Sequence, residues 1–441
     1  MISQRDLADR LARRDPGAWS VVERVQDLAI ADELRALHRR DHRTRLAITV
    51  HQDVPRGRGS ARLDIDPFDG SAEDLVDHAI SLALTAVGPA WSSTPPAAPA
   101  KVDVVDADLV KRELDAVALG TLAGLRRPSD LDITATAEVL REKITVIASS
   151  GFHTSWSATA LRAHVRLATG NHSLALCRDA RRADDLGLDL AVTDAAADLV
   201  HLAAAGPPPT GPCALWLGPE ALLHRDPHRD DDLAAGGGAG AGLDHGIWAI
   251  FAHHADATVE RQGLTRYRLR SEIAPGAAQI AEPLSITSDG ALDFATRSAP
   301  VTDDAVAVRR FPLIDRGIAV GLGLSPREAA LRHTDPNGGV RNLVIAPGSW
   351  PPGPSTTTRT IEVRRLYALS IDPDTGDASL DIALGLEHRP GRASPIPFTG
   401  GTVRLDLIGS LARARRSHQL LRRGAYHGPA SVLIDRAELL P

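Results

Sequence analysis

Cysteine is almost missing from this 441-residue chain, which holds only Cys177 and Cys213. The two could pair only if the fold brings them together. So low a count fits a reducing compartment rather than a disulfide framework. Lysine occurs only at 101, 111 and 143, so arginine carries nearly all the basic charge. The formal net charge of -6 is too mild to pull the chain toward nucleic acid or an anionic membrane. No apolar run approaches the roughly 18 residues that a membrane helix needs. The opening stretch MISQRDLADRLARRD is charged and has no apolar core. No signal peptide is expected there, and the expected location is cytoplasmic. A Gly-x-x-x-x-Gly-Lys phosphate loop and a Gly-x-Ser-x-Gly nucleophile elbow are both lacking. The Gly-rich run Ala234–Gly242 follows no strand with a matching acidic partner, which argues against a dinucleotide loop.

Two breaks divide what is there. WSSTPPAAPA at Trp91–Ala100 favours an extended linker, and GPPPTGP at Gly206–Pro212 stops a helix and cannot join a ladder. Three domains follow: 1–90, 101–206 and 213–441. The first two read as α/β. Arg45–His51 and Ser60–Asp66 alternate around a turn at Pro55–Gly59, which predicts a hairpin. Ser71 with Asp74 signals a helix start, and Leu75, Ala79, Leu82, Ala83 and Ala86 mark its apolar face. In the second domain the spacing predicts a helix over Ala107–Leu125, strands at 133–139, 144–149, 154–165 and 173–177, and a helix over Leu188–Ala205. The third domain consists of short β runs with turn signals, so a large, mostly antiparallel sheet or open barrel is expected. The fold class is α+β.

The chemistry concentrates at Leu215–Asp232, LWLGPEALLHRDPHRDDD. An apolar strand leads through Gly218-Pro219 into a short helical run ending at His224. A zinc-peptidase helix would continue with Glu and would place a second His at the fifth position after the first. Here Arg225 and Arg229 stand in those places, with Pro227 between them. Zinc catalysis needs about three neutral or anionic ligands and a carboxylate that takes a proton from bound water. A guanidinium does neither. His224 and His228 keep an i,i+4 helical spacing, and Asp226 with Asp230–Asp232 supplies oxygens, so a metal site in shifted register stays open as an alternative. The bland reading is a polar, solvated helix end. His245, His253 and His254 lie by a strand-like stretch that places one ring of the adjacent pair inside and the other outside. Cys177, in SLALC, reads as core. Arg413, Arg415, Arg416, Arg422 and Arg423 with the neighbouring Leu residues suggest an amphipathic helix with a solvated Arg face, and no nucleic-acid site.

The third domain resembles the TldD/TldE family of peptidase proteins, also called PmbA. The resemblance rests on Arg310–Gly321 (RFPLIDRGIAVG), Ala329-Ala330, Asn337–Arg341 (NGGVR), Asn342–Gly348 (NLVIAPG) and Thr375–Ser379 (TGDAS). It extends to the first hairpin and helix, Arg45–Asp66 and Ser71–Val87. It implies one branch with a His-Glu-x-x-x-His zinc helix plus a C-terminal thiolate ligand, and a second, TldE-like branch without a metal that pairs with the first. His224 falls on the first zinc His, Arg225 on the Glu and Arg229 on the second His. No Cys follows Cys213 to supply the thiolate.

The sequence therefore predicts a TldE-like subunit with no catalytic residue and no metal of its own. Zinc would reside in a TldD-like partner, and the pair would cleave unfolded or leader-type peptides. Asn337, Gly338, Gly339, Arg341 and Asn342 are the candidate substrate contacts, because paired glycines permit close backbone approach. The alternatives are an autonomous zinc hydrolase using His224 and His228, and a non-catalytic peptide scaffold in a peptide-modifying pathway.

Overall fold

The computed structural model describes residues 1–32, 36–93, 97–125, 128, 130–225, 245–355 and 357–441. Its first half is built on one antiparallel sheet in the order β4-β3-β2-β1-β5-β6-β7. The strands are β1 (Ala18–Asp32), β2 (Ala36–Val54), β3 (Gly57–Ile65), β4 (Val87–Gly88), β5 (Asp132–Ala148), β6 (His153–Thr169) and β7 (His172–Ala180). Strands from both sides of the Trp91–Ala100 stretch share this sheet, since β1 pairs with β2 on one side and β5 on the other. The predicted strands at 133–139 and 144–149 are halves of one long β5, which the polar residues Arg141, Glu142 and Lys143 interrupt only in composition.

Period-2 alternation decides where the helices lie. On one face Val21, Ile48, Val50 and Ile65 pack under α1 (Gln4–Arg14) and α2 (Ala72–Thr85). Farther along the strands Ala137, Val139, Ala163 and Val165 meet α4 (Leu114–Ala123) and α5 (Leu188–Ala203). Ser3 and Asp6 form a reciprocal capping box on α1, and the Ser71 hydroxyl accepts from the Asp74 amide at 3.1 Å as its spacing predicts. The single helix expected over Ala107–Leu125 is broken into α3 (Ala107–Lys111) and α4, because Arg112 and Glu113 are extended. Arg141 donates to the carbonyls of Leu109 and Arg112 and so stabilises the break.

The C-terminal part runs through β8 (Gly211–Leu217), β9 (Ile286–Asp289), β10 (Arg310–Asp315), β11 (Ile318–Ala319), β12 (Asn342–Ile345), β13 (Thr360–Ile371) and β14 (Asp377–His388). It ends with β15 (Ile396–Phe398), β16 (Thr402–Asp406), β17 (Arg415–Arg416), β18 (Leu420–Arg423), β19 (Tyr426–Pro429) and β20 (Val432–Leu440). Strands β13-β8-β20-β16-β14 close into a five-stranded barrel, because β14 pairs back onto β13. A second sheet runs β11-β10-β9-β12-β19-β18. The mixed α+β class holds, and the barrel is closed rather than open.

Two local expectations fail. Trp248–His254 is not strand-like: a 3-10 turn leads into a helix, Ala249–His254, with Ile250, Phe251 and His254 buried. An apolar run enclosed on all sides carries no periodicity to distinguish the two. The rings do divide as expected, with His254 buried and His253 half-buried. The arginine-rich C-terminal run forms a helix only over Leu407–Arg413, then strands β17 and β18. Arg416 is not solvated there. It is 2 % exposed and donates to the carbonyls of Ala346, Glu282 and Pro283. Both cysteines are free. Among the described residues no helix is long and apolar enough to cross a membrane.

Candidate functional site at an arginine-lined junction

Strand β8 delivers the His224-Arg225 segment into the seam between the first sheet and the barrel. It pairs in parallel with β13 and antiparallel with β20, so its end is fixed from both sides. Gly218 caps a helix whose first residue is Pro219, but the helix lasts only four residues, Pro219–Leu222. His224 and Arg225 follow it outside any helix. His228, Arg229 and the neighbouring aspartates lie outside the described residues.

Glu220 is the hub. Arg178 of β7 and Arg423 of β18 each donate to its Oε1 at 2.7 Å, and Arg365 of β13 stands 3.3 Å from Oε2. Burial raises the Glu220 carboxyl, but Arg423, Arg178 and Arg365 outweigh it and hold the group well below the usual carboxylate range. A second node is Asp198 of α5, 1 % exposed, which accepts from Arg364 at 2.9 Å and Arg365 at 2.7 Å. Arg364 also reaches Glu362 at 3.3 Å, which in turn meets His388 at 2.9 Å. These contacts tie β7, α5, β13, β14 and β18 into one charged seam.

Arg225 is not solvated, contrary to the bland reading of this segment. It is ion-paired with Asp179, which Arg162 also contacts at 2.8 Å. Cys177 lies beside it, its sulfur 3.9 Å from His164 Nε2. Burial pushes the thiol up, and Arg225, Arg162 and Arg178 only partly offset this. The thiol is therefore a poor nucleophile and a poor metal ligand at neutral pH.

Among the described residues the donor set around His224 does not suit zinc. The side chain after the first candidate ligand is a guanidinium already committed to a carboxylate. Among the described residues no three His, Cys, Asp or Glu side chains converge as a metal cage. No catalytic step is derived through a metal in this chain. Arg225→Ala leaves Asp179 with Arg162 alone, and we expect a loss of about 1–2 kcal/mol, as for a hydrogen bond to a charged group. Urea unfolding of the variant checks this, and an unchanged midpoint would refute it.

The candidate substrate contacts lie elsewhere: Asn337, Gly338, Gly339 and Arg341 in the loop that precedes β12, and Asn342 at the first position of that strand. The Asn337 side chain accepts from the amides of Leu324 at 2.7 Å and Gly339 at 3.1 Å and donates to the Leu322 carbonyl at 2.8 Å. Asn342 is fully buried, donating to Asp289 O at 2.6 Å and Ser298 Oγ at 2.8 Å and accepting from the Arg297 amide at 3.1 Å. Arg341 donates to the Gly338 carbonyl at 3.0 Å, and its own carbonyl accepts from His245 Nε2 at 2.9 Å. Both asparagines thus hold the loop's shape. Gly338 and Gly339 have φ of +84° and +77°, and a Cβ at Gly339 would meet no atom within 4 Å. Arg423, read in the sequence as part of a solvated arginine face, is paired with Glu220 instead, and the seam residues Arg178, Asp198, Glu220 and Arg365 were not singled out. Their signal was charge at inward-facing positions, such as Arg365 between Val363 and Leu366.

The comparisons agree with this architecture. Residues 247–437 match the family described as PmbA/TldA metallopeptidase C-terminal domain. No curated protein matches the chain. TldE from Thermococcus kodakarensis superimposes with a TM-score of 0.74 at 14% identity, covering 100% of both chains. A candidate modulator of DNA gyrase from Bacteroides thetaiotaomicron VPI-5482 gives 0.74 at 14% identity, over 99% of this chain and 97% of that one. Another from Thermotoga maritima MSB8 gives 0.73 at 14% identity, over 99% and 100%. At such identity these structures establish the shared fold. Residues 247–437 therefore carry a C-terminal domain of the PmbA/TldD metallopeptidase family, and the chain as a whole shares the fold of these structures.

Proposed function

We propose that this chain is a TldE-like subunit that pairs with a TldD-like zinc peptidase and completes a cytoplasmic, heteromeric metallopeptidase for unfolded or leader-type peptides. The reading rests above all on Arg225. A cation locked to Asp179 occupies the position of the water-activating acid, so hydrolysis must come from the companion, which holds the zinc. This chain contributes binding surface. The edge strand of its six-stranded sheet, β18, ends at Arg423, which bonds to Glu220 at 2.7 Å. An extended peptide added at that edge would lie against the seam and be held through its backbone, which gives sequence tolerance. Substrate contact from the Asn337–Asn342 loop would run through the Gly338-Gly339 backbone, since the asparagine amides are spent internally.

The test is to purify the chain alone and together with a His-Glu-x-x-x-His homologue. The isolated chain should not cleave an unfolded peptide even with added zinc, whereas the mixture should co-elute and cleave. Robust cleavage by the chain alone refutes the proposal.

A further inference from the structure

A cavity of about 350 Å³ lies away from the arginine seam, where the first sheet meets the C-terminal loops. Three separate stretches wall it. The sheet supplies Trp19 and Ser20 from β1 and His51 from β2, the connecting segment supplies Trp91, and the C-terminal part supplies Asp304 and Arg309. Its size falls in the range of small-ligand pockets, which run from about 300 to 1,000 Å³.

The charges are arranged unevenly. Asp303 takes Arg24 at 2.7 Å and Arg62 at 2.9 Å. Asp304, next in the chain, makes no ion pair or hydrogen bond among the described residues; the surrounding protein and then Asp303 push its carboxyl up, and Arg62 and Arg341 only partly offset them. Asp304 lines the cavity. Arg309 is already 3.5 Å from Asp335, another wall residue, so that pair is mutually neutralised. His51 adds no positive charge: burial, then Arg58, pushes it down to about 4. Asp304 is left as the unmatched charge of the lining.

Two polar atoms of the wall residues also lack partners. Ser20 Oγ and Trp91 Nε1 are buried without a hydrogen bond, an arrangement that costs about 1–3 kcal/mol per group. Ser20 is 5 % and Trp91 8 % exposed. The Trp91 ring is held rigidly, with His51 edge-on at 4.8 Å and the Arg58 guanidinium 4.7 Å from its centroid. The remaining wall is mainly alanine and proline surface, with Val306 and the serines Ser93, Ser149 and Ser150.

We infer that this cavity binds the free amino end of a short peptide. The ammonium group pairs with Asp304, the first side chain lies on the Trp19 and Trp91 surface, and a carbonyl faces the wall where Trp91 lacks an acceptor. The volume suits one or two residues.

The test titrates the full chain, without companion or zinc, with alanyl-alanine amide and with its N-acetyl derivative in a calorimeter. The free amine should bind saturably at one site. Acetylation, or Asp304→Asn, should weaken binding at least about tenfold, and Trp91→Phe, which removes the N–H together with part of the ring surface, about three- to fivefold. Asp304 supports no internal bond, so Asp304→Asn should melt like the parent, and the acetylated ligand tests the claim on the unaltered chain. No saturable heat with the free amine, or equal binding of the acetylated ligand, overturns the inference. Neither result bears on whether a companion peptidase exists, so this site and the subunit reading stand or fall separately.

Discussion

Asp198→Ala should lower the unfolding free energy by about 3–5 kcal/mol, the range for removing one partner of a buried ion pair. Asp198 is 1 % exposed, and its two oxygens are divided between Arg364 and Arg365. Without it, Arg364 keeps only Glu362 and Arg365 keeps only Glu220, each at 3.3 Å. Arg365 is itself 7 % exposed, so its charge cannot simply turn to water. The attraction acts between groups that ions of the solvent barely reach, so the loss should persist at high salt. Asp198→Asn retains an acceptor but not the charge and should fall between the parent and alanine. Urea unfolding followed by circular dichroism measures all three. A loss below about 1 kcal/mol for alanine would show that packing of α5, not its carboxylate, holds the first sheet to the barrel. The double change Asp198→Leu with Arg365→Leu should recover part of the loss, because apolar replacement removes the desolvation cost along with the attraction.

That node also shows where sequence reading stops. The apolar positions Leu188, Ala191, Ala195, Leu199 and Leu202 locate α5 to within a few residues, because burial on one side imposes a 3.6-residue period. Asp198 sits three residues after Ala195 and four before Leu202, inside the same stripe. Its charge at a core position was visible, but its arginine partners lie more than 160 residues away on β13. Local signals such as the Ser71 cap and the turn predicted within Pro55–Gly59 were legible because the chain within a few residues fixes them. The closure of the barrel through β13 and β14, the burial of Arg416 and the helical state of Ala249–His254 depend on distant neighbours. The guanidinium next to His224 could be read because it is a question of residue type, but its pairing with Asp179 could not.

Stability should also fall as pH drops from 7 to 5, before the carboxylates titrate. Burial, His253 and Arg266 lower His254 to about 4, and burial and Arg58 lower His51 to about 4. Burial, then Arg297, lowers His245 well below its ordinary value, with the Arg341 carbonyl working in the opposite sense. The geometry at His254 agrees. Its Nδ1 accepts the Arg266 amide at 3.1 Å, so a proton there would set two donors against each other. The folded pKa values lie below the unfolded value near 6.5, so the unfolded chain binds the extra protons between about pH 6.5 and 4. Stability from these rings is complete above that window and is lost as pH falls through it. At pH 5 the loss is about 2 kcal/mol for each of His51 and His254, at 1.36 kcal/mol per pH unit. Glu328 and Glu387 are also lowered, because their arginine partners outweigh burial, but they act in a more acidic window: their contribution disappears only below about pH 4.5. Urea midpoints measured from pH 7 to 5 should therefore decline with an uptake of about two to three protons on unfolding. His254→Gln should remove about one of them. A flat profile above pH 5 would mean that these rings are already protonated in the fold, and that the contacts around His254 and His51 are not the ones described.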